Sequence, residues 1–222
     1  MSPRKSVAES RSTRQRILDL GLATASAEGL EGLTIGRLAA ELGMSKAGVI
    51  GHFGTKESLQ LAVVEAAAEL FVREVPEHAR GVPRGLPYLR AACEAWISYL
   101  ERELLPGGCF FTAAAAEFDG RDGPVRDAVV RMSAFWQREL RVNIWRAVSL
   151  DELPADTDID QLLYEIVAIM LALNHFLQLH GDRQAPARAR RALERLLCRR
   201  VSEFPGRSTA RGTTPGTPAP AE

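Results

Sequence analysis

Residues 34 to 56, TIGRLAAELGMSKAGVIGHFGTK, constrain this chain more than any other stretch, because three helix-capping residues fall within them. Thr34, Ser45 and Thr55 are N-cap types, each with a side-chain oxygen able to accept from a backbone N–H two or three residues on. After Thr34, Ile35, Leu38, Ala39 and Leu42 recur at i, i+3, i+4 and i+7 and form one apolar stripe. Gly43 follows the stripe, where a left-handed exit suits glycine, and Met44 supplies an apolar residue for the turn. Two short helices joined this tightly have helix-turn-helix spacing, in which the second helix enters a DNA major groove.

That second helix, residues 45 to 52, is poor in helix formers. Gly48 and Gly51 each cost about 1 kcal/mol relative to alanine, so the segment needs Val49 and Phe53 packed beneath it. Without side chains at these glycines, the backbone can approach a phosphate or a base edge closely. Lys46, Ala47, Ile50 and His52 are then left to face a partner. Lys56, in the first turn after Thr55, opposes the helix dipole unless an anion lies there. A phosphate held by the lysine and the backbone N–H groups removes that conflict.

The segment TIGRLAAELGMSKAGVIGHFGTKESL resembles the DNA-binding segment of the TetR family of bacterial transcriptional regulators. The resemblance implies that Thr34 is an N-cap and phosphate contact, with Ser45 opening the recognition helix. It also implies that Lys46, Ala47 and Gly48 face bases, that Gly51 and His52 touch backbone or bases, and that Lys56 binds a phosphate. Arg37 joins the expected phosphate contacts. Ile50 departs from the pattern, because the family usually has tyrosine there, and a thymine methyl is the contact isoleucine can make instead.

The rest of the chain reads as helices, giving an all-α fold of about nine. Residues 1–11 are expected to be a flexible basic arm, 12–55 the helix-turn-helix head, 56–204 a helical regulatory and dimerisation domain, and 205–222 a disordered Pro/Gly/Thr-rich tail. Ser12 and Gln15 form a capping-box pattern for the first helix. Helix 4, from Lys56 to about Val75, is long enough to link the two parts. Further helices are expected at about 87–105, 109–118, 124–148, 158–180, where Asp158 and Gln161 form a capping-box variant, and from Pro186 onward, with a Pro/Gly-rich loop between Pro76 and Pro87.

Charge and cysteine content bound the function. Residues 1–60 hold eight basic against six acidic residues in a chain of zero net charge, so the head is only mildly basic. Cys93, Cys109 and Cys198 are too few and too scattered for a disulfide framework, which fits a cytoplasmic protein. No apolar signal segment opens the chain, and the uninterrupted run from Ile166 to Leu173 is too short to span a bilayer. No membrane association, metal or cofactor is expected, and His52, His78, His175 and His180 have no metal-ligand spacing. A Cys109–His175 nucleophile lacks any local signature.

Helix 8 is apolar around most of its circumference, more than helices 5 to 7 can cover. Leu162, Ile166, Ile169, Leu173 and Phe176, with Leu193, Leu196 and Leu197 of helix 9, are therefore the expected dimer interface, a four-helix bundle between two copies. Aromatic bulk, Phe135 and Trp145 included, collects in helices 5 to 7, and the resemblance implies a ligand pocket among helices 4 to 8. Its expected lining is Cys93, Trp96, Phe111, Thr112, Phe118, Trp136, Asn174 and His175. The function expected is that of a ligand-responsive, homodimeric DNA-binding regulator. It would be released from a palindromic operator by a largely apolar small molecule, with repression implied by the resemblance alone. Gly48, Ile50 and Gly51 keep a second reading open, a helical small-molecule-binding protein or enzyme with a degenerate head.

Overall fold

The computed structural model describes residues 7 to 198. Among them are nine α-helices: α1 (Val7–Glu28), α2 (Ile35–Glu41), α3 (Lys46–Phe53), α4 (Lys56–Glu74), α5 (Leu86–Glu101), α6 (Phe110–Phe118), α7 (Pro124–Ser149), α8 (Ile159–Gln178) and α9 (Ala185–Leu197). A 3-10 turn, Pro76–Ala79, follows α4 in what the sequence suggested was plain loop. The expected tail at 205–222 lies outside the described residues.

The capping chemistry read from the sequence is realised. Thr34 accepts from Arg37 N, Ser45 from Gly48 N, Thr55 from Ser58 N, and Asp158 from Asp160 N and Gln161 N. Proline occupies the first turn of α5, α7 and α9, where its missing N–H costs nothing. The first helix differs from expectation, beginning at Val7 rather than Ser12. Ser12 sits inside the helix, and Thr13 Oγ1 donates to Glu9 O at 2.8 Å, so the expected cap is ordinary helical surface. Of the expected arm, residues 7–11 are helical and the remainder is outside the described residues.

Two apolar cores share α4. Leu59, Ala62, Val63, Val64 and Ala67 join Ile17, Leu30, Leu33, Leu38, Val49 and Phe53 in the head core. Further along the same helix, Phe71, with Val75 just past its end, enters a second core with Leu89, Trp96, Trp136, Leu140 and Ile166. Helix α6 and the start of α7 belong to the head core through Phe110, Ala114, Phe118, Val125 and Val129. Phe118 is therefore head packing, where the sequence placed it in a ligand pocket.

The turn before α6 clasps α1. A Cβ on Gly107 would lie 1.6 Å from the Ser26 carbonyl oxygen, so only glycine permits this backbone approach. Gly107 N also donates to Ser26 Oγ at 3.3 Å. Two residues on, Cys109 N donates to Asn174 Oδ1 of α8 at 2.8 Å. The α6 N-terminus is thus tied to both α1 and α8.

Helix α8 has a single buried side. Leu162, Ile166 and Leu173, with Leu193 and Leu197 of α9, are within the chain's own core, where the sequence assigned them to a dimer interface. Burial of each contributes about 1.5–3 kcal/mol to this chain's own fold. Ile169 and Leu196 are half-buried and Phe176 is exposed. The uncovered stripe consists of Tyr164, Leu171 and Leu179, at 70%, 47% and 69% exposure, with Phe176 beside it. The helix is long and apolar enough to cross a membrane by length and composition, with a mean hydropathy of 1.3. That differs from the reading of its short uninterrupted run, although its inner side is protein core.

Candidate functional site

Helix α3 is held from below and open above. Val49 and Phe53 are buried in the head core, as its weak helix propensity requires, while Ser45, Lys46, Ala47, Ile50 and Gly51 are exposed. Gly48 and His52 are half-buried. A Cβ on Gly51 would meet nothing within 4 Å, so no packing inside the chain demands a glycine there. Gly48 is tighter, with Ser45 Oγ 3.3 Å from where its Cβ would be. Gly43 has φ +64°, and Met44 N donates to Ala39 O at 2.8 Å, closing the turn that sets α3 against α2. The C-terminal end of α3 is secured by Arg14 of α1, which the sequence reading missed. Its guanidinium donates to His52 O at 3.0 Å and covers the Phe53 ring at 4.3 Å.

The two cations expected at phosphates already have partners. Arg37 pairs with Glu28, and its Nε donates to Glu41 Oε1 at 2.7 Å. These hydrogen bonds raise its pKa, so in the free protein its guanidinium is paired within the head. Lys56 Nζ donates to Glu31 O at 2.9 Å and to Glu31 Oε2 at 3.2 Å. Hydrogen bonds from Lys56 and then Gln60 hold the Glu31 carboxyl below the usual carboxylate range. Thr34, Ser45 and Lys56 stand at the starts of α2, α3 and α4 respectively, the helix ends that carry uncompensated N–H groups.

The expected pocket residues divide between two places and the surface. Phe71 of α4 is surrounded edge-on by Trp96, Tyr99, Phe111 and Trp136, with ring centroids 5.8, 5.9, 6.3 and 5.4 Å away. Trp96 and Trp136 are themselves 5.6 Å apart and nearly perpendicular. Both indole N–H groups are buried with no protein acceptor. Thr112 is half-buried on α6 nearby. Cys93 instead lies at the bottom of a separate groove of about 250 Å³ between α5 and α9, where burial pushes its thiol up to about 12.

Two further pocket candidates have other duties. Asn174 accepts the Cys109 N–H and is a satisfied core polar group. His175 lies on the exposed side of α8, next to Phe176 and His180, at ring separations of 5.7 and 5.1 Å. Cys109 is buried, and that burial raises its pKa, while His175 is exposed. Phe135 and Trp145, counted with the internal aromatic bulk, are 45% and 57% exposed.

A three-helix head whose third helix is outward, joined by one long helix to a larger helical body, defines a helix-turn-helix DNA-binding regulator. Residues 17–63 match the family model described as bacterial regulatory proteins, tetR family. Residues 85–193 match the one described as tetracyclin repressor-like, C-terminal domain. The chain belongs to the TetR family.

Solved structures agree. A TetR transcriptional regulator from Chloroflexus aurantiacus J-10-FL is 25% identical, with TM-score 0.77 over 86% of this chain and 95% of that one. A regulator from Saccharomonospora viridis in complex with choline is 20% identical, with TM-score 0.68 over 83% and 94%. AibR, in complex with isovaleryl coenzyme A and operator DNA, is 18% identical, with TM-score 0.66 over 82% and 96%. None of the curated proteins matches the sequence.

Proposed function

We propose that the protein is a homodimeric transcriptional repressor acting in the cytoplasm, released from a near-palindromic operator by a small, largely apolar effector. The observation that carries the reading is α3, whose apolar side is buried while Ser45, Lys46, Ala47, Ile50 and Gly51 are outward. In this reading Lys46, Ala47, Gly48 and His52 meet base edges, and Ile50 meets a thymine methyl. Thr34 and Lys56 hold phosphates, which positions the head without reading sequence. Catalysis is no part of the role.

The exposed Tyr164, Leu171 and Leu179 stripe of α8, with Leu196 of α9 at its margin, supports dimerisation through α8 and α9. Two heads in such a dimer would meet half-sites about 34 Å apart, one DNA turn. The aromatic cluster around Phe71 supports an effector site, since α4 carries both that ring and the head's Lys56. Two orphan indole donors would suit an apolar molecule bearing a hydrogen-bond acceptor. A bound effector would tilt α4 and change the spacing of the heads, a coupling that needs about 1–3 kcal/mol. The choline and isovaleryl coenzyme A of the two neighbours support small-molecule control of this architecture.

DNase footprinting of the DNA upstream of the coding sequence tests the reading. A protected near-palindrome with half-sites one turn apart is expected. Uniform cleavage at protein concentrations that saturate random DNA would contradict it.

A further inference from the structure

The α1–α2 loop, residues 29 to 34, is gripped from two sides. From α4, Gln60 Nε2 donates to Leu30 O at 2.9 Å, and Lys56 donates to Glu31 O. From α6, the Glu117 carboxylate accepts Leu30 N at 2.8 Å and Glu31 N at 2.7 Å. Gly29, with φ +85°, makes room for that carboxylate, since a Cβ would lie 2.9 Å from Glu117 Oε2. Glu31 therefore stands at the junction of the helix that begins with Lys56 and the helix that ends at Phe118.

Its carboxylate has two cations. Lys56 is 3.2 Å from Oε2 on one side. Arg121, in the turn between α6 and α7, is 3.2 Å from Oε1 on the other, with its guanidinium 5.1 Å from the Phe118 ring centroid. All three side chains are 40–49% exposed, so the pairs exchange at little cost.

We propose that Arg121 and Lys56 compete for the Glu31 carboxylate, so that the α6–α7 turn governs how freely Lys56 can turn to a DNA phosphate. This rests on the reading of Lys56 as a phosphate contact. When Arg121 is seated, it shares the charge of Glu31 and Lys56 is held loosely. When α6 shifts and carries Arg121 away, Lys56 is the one cation left to Glu31, whose Oε1 keeps only the neutral Gln60 donor at 3.3 Å, and Glu31 holds Lys56 from the phosphate. Helix α6 connects the two parts of the molecule, because its N-terminal side is tied to Asn174 of α8 while its body is buried in the head core. Glu31 and Arg121 are positioning residues here, acting through Lys56.

The test uses the full chain and two duplexes, the upstream sequence and an unrelated one at low salt, because a phosphate contact acts on both. Arg121→Gln is expected to weaken binding to each by roughly two- to fivefold, the size expected of pairs this exposed. Glu31→Gln, and Glu31→Ala as a second variant, are expected to tighten both by a similar factor. The double variant Arg121→Gln/Glu31→Gln is expected to behave as Glu31→Gln alone, Arg121→Lys to restore wild-type affinity, and Lys56→Ala to abolish the gain from Glu31→Gln.

An Arg121→Gln loss that persists without Glu31 would mean that Arg121 acts on DNA itself, and would overturn the proposal. So would unchanged or weakened binding by both Glu31 variants. A lack of preference for the upstream duplex would count against the proposed operator while leaving the comparison on the unrelated duplex intact.

Discussion

Arg14 and His52 are joined by a hydrogen bond of 3.0 Å from guanidinium to backbone carbonyl, although they lie on the first and third helices. The same guanidinium covers the Phe53 ring, so one side chain fixes the last turn of a helix that its own glycines weaken. Arg14→Ala is expected to cost about 1–2 kcal/mol of stability and to weaken DNA binding beyond the loss of one charge. Thermal melting and duplex titration check this. Unchanged values in both would remove Arg14 from the support of α3.

Gly107 is expected to tolerate nothing larger. A Cβ there meets backbone rather than a flexible side-chain end, so Gly107→Ala must separate the α5–α6 turn from α1. The expected cost is about 3 kcal/mol or more, visible as a fall in melting temperature. Gly51→Ala, with open space around it, is the matched control and is expected to keep or raise stability while reducing DNA affinity.

The exposed stripe of α8 gives a prediction that burial in the core would not. Leu171→Lys is expected to leave helicity unchanged and convert the proposed dimer to monomer in light-scattering measurements. The buried Ile166→Lys is expected to unfold the chain instead, because it strands a charge in the core. A Leu171→Lys protein that remains dimeric would exclude this face.

Acid should loosen the head. The hydrogen bond from Arg37 holds the Glu28 carboxyl below its usual 4.5, and Lys56 does the same to Glu31. A lowered folded-state pKa contributes stability that is present above the unfolded value and lost as pH falls through the folded one. Melting temperature is therefore expected to fall below about pH 4.5, and less steeply in the Glu28→Gln variant. Parallel curves for wild type and variant would show that the Arg37 pair does not couple to folding.

Local chemistry was legible in the sequence, and tertiary partnership was not. Thr34, Ser45, Thr55 and Asp158 announce helix starts because a cap bonds within three residues of itself. Ser12 misled because the same residue type also sits unremarkably within a helix. The inner side of α8 could not be chosen from composition, since an apolar circumference has no phase to read. Glu31 and Glu117 are 86 residues apart, and their junction carries no local pattern at all. Arg37 and Lys56 read as free cations until the structure brought Glu28, Glu41 and Glu31 against them.

The most direct measurement is fluorescence anisotropy of the full chain on the duplex upstream of its coding sequence and on a scrambled duplex, at two salt concentrations. The expected result is binding at two chains per duplex, tighter than to the scrambled duplex by a factor of about 10³ or more, with a preference that persists at the higher salt. Equal, weak binding to both duplexes that vanishes with salt would contradict a sequence-reading head.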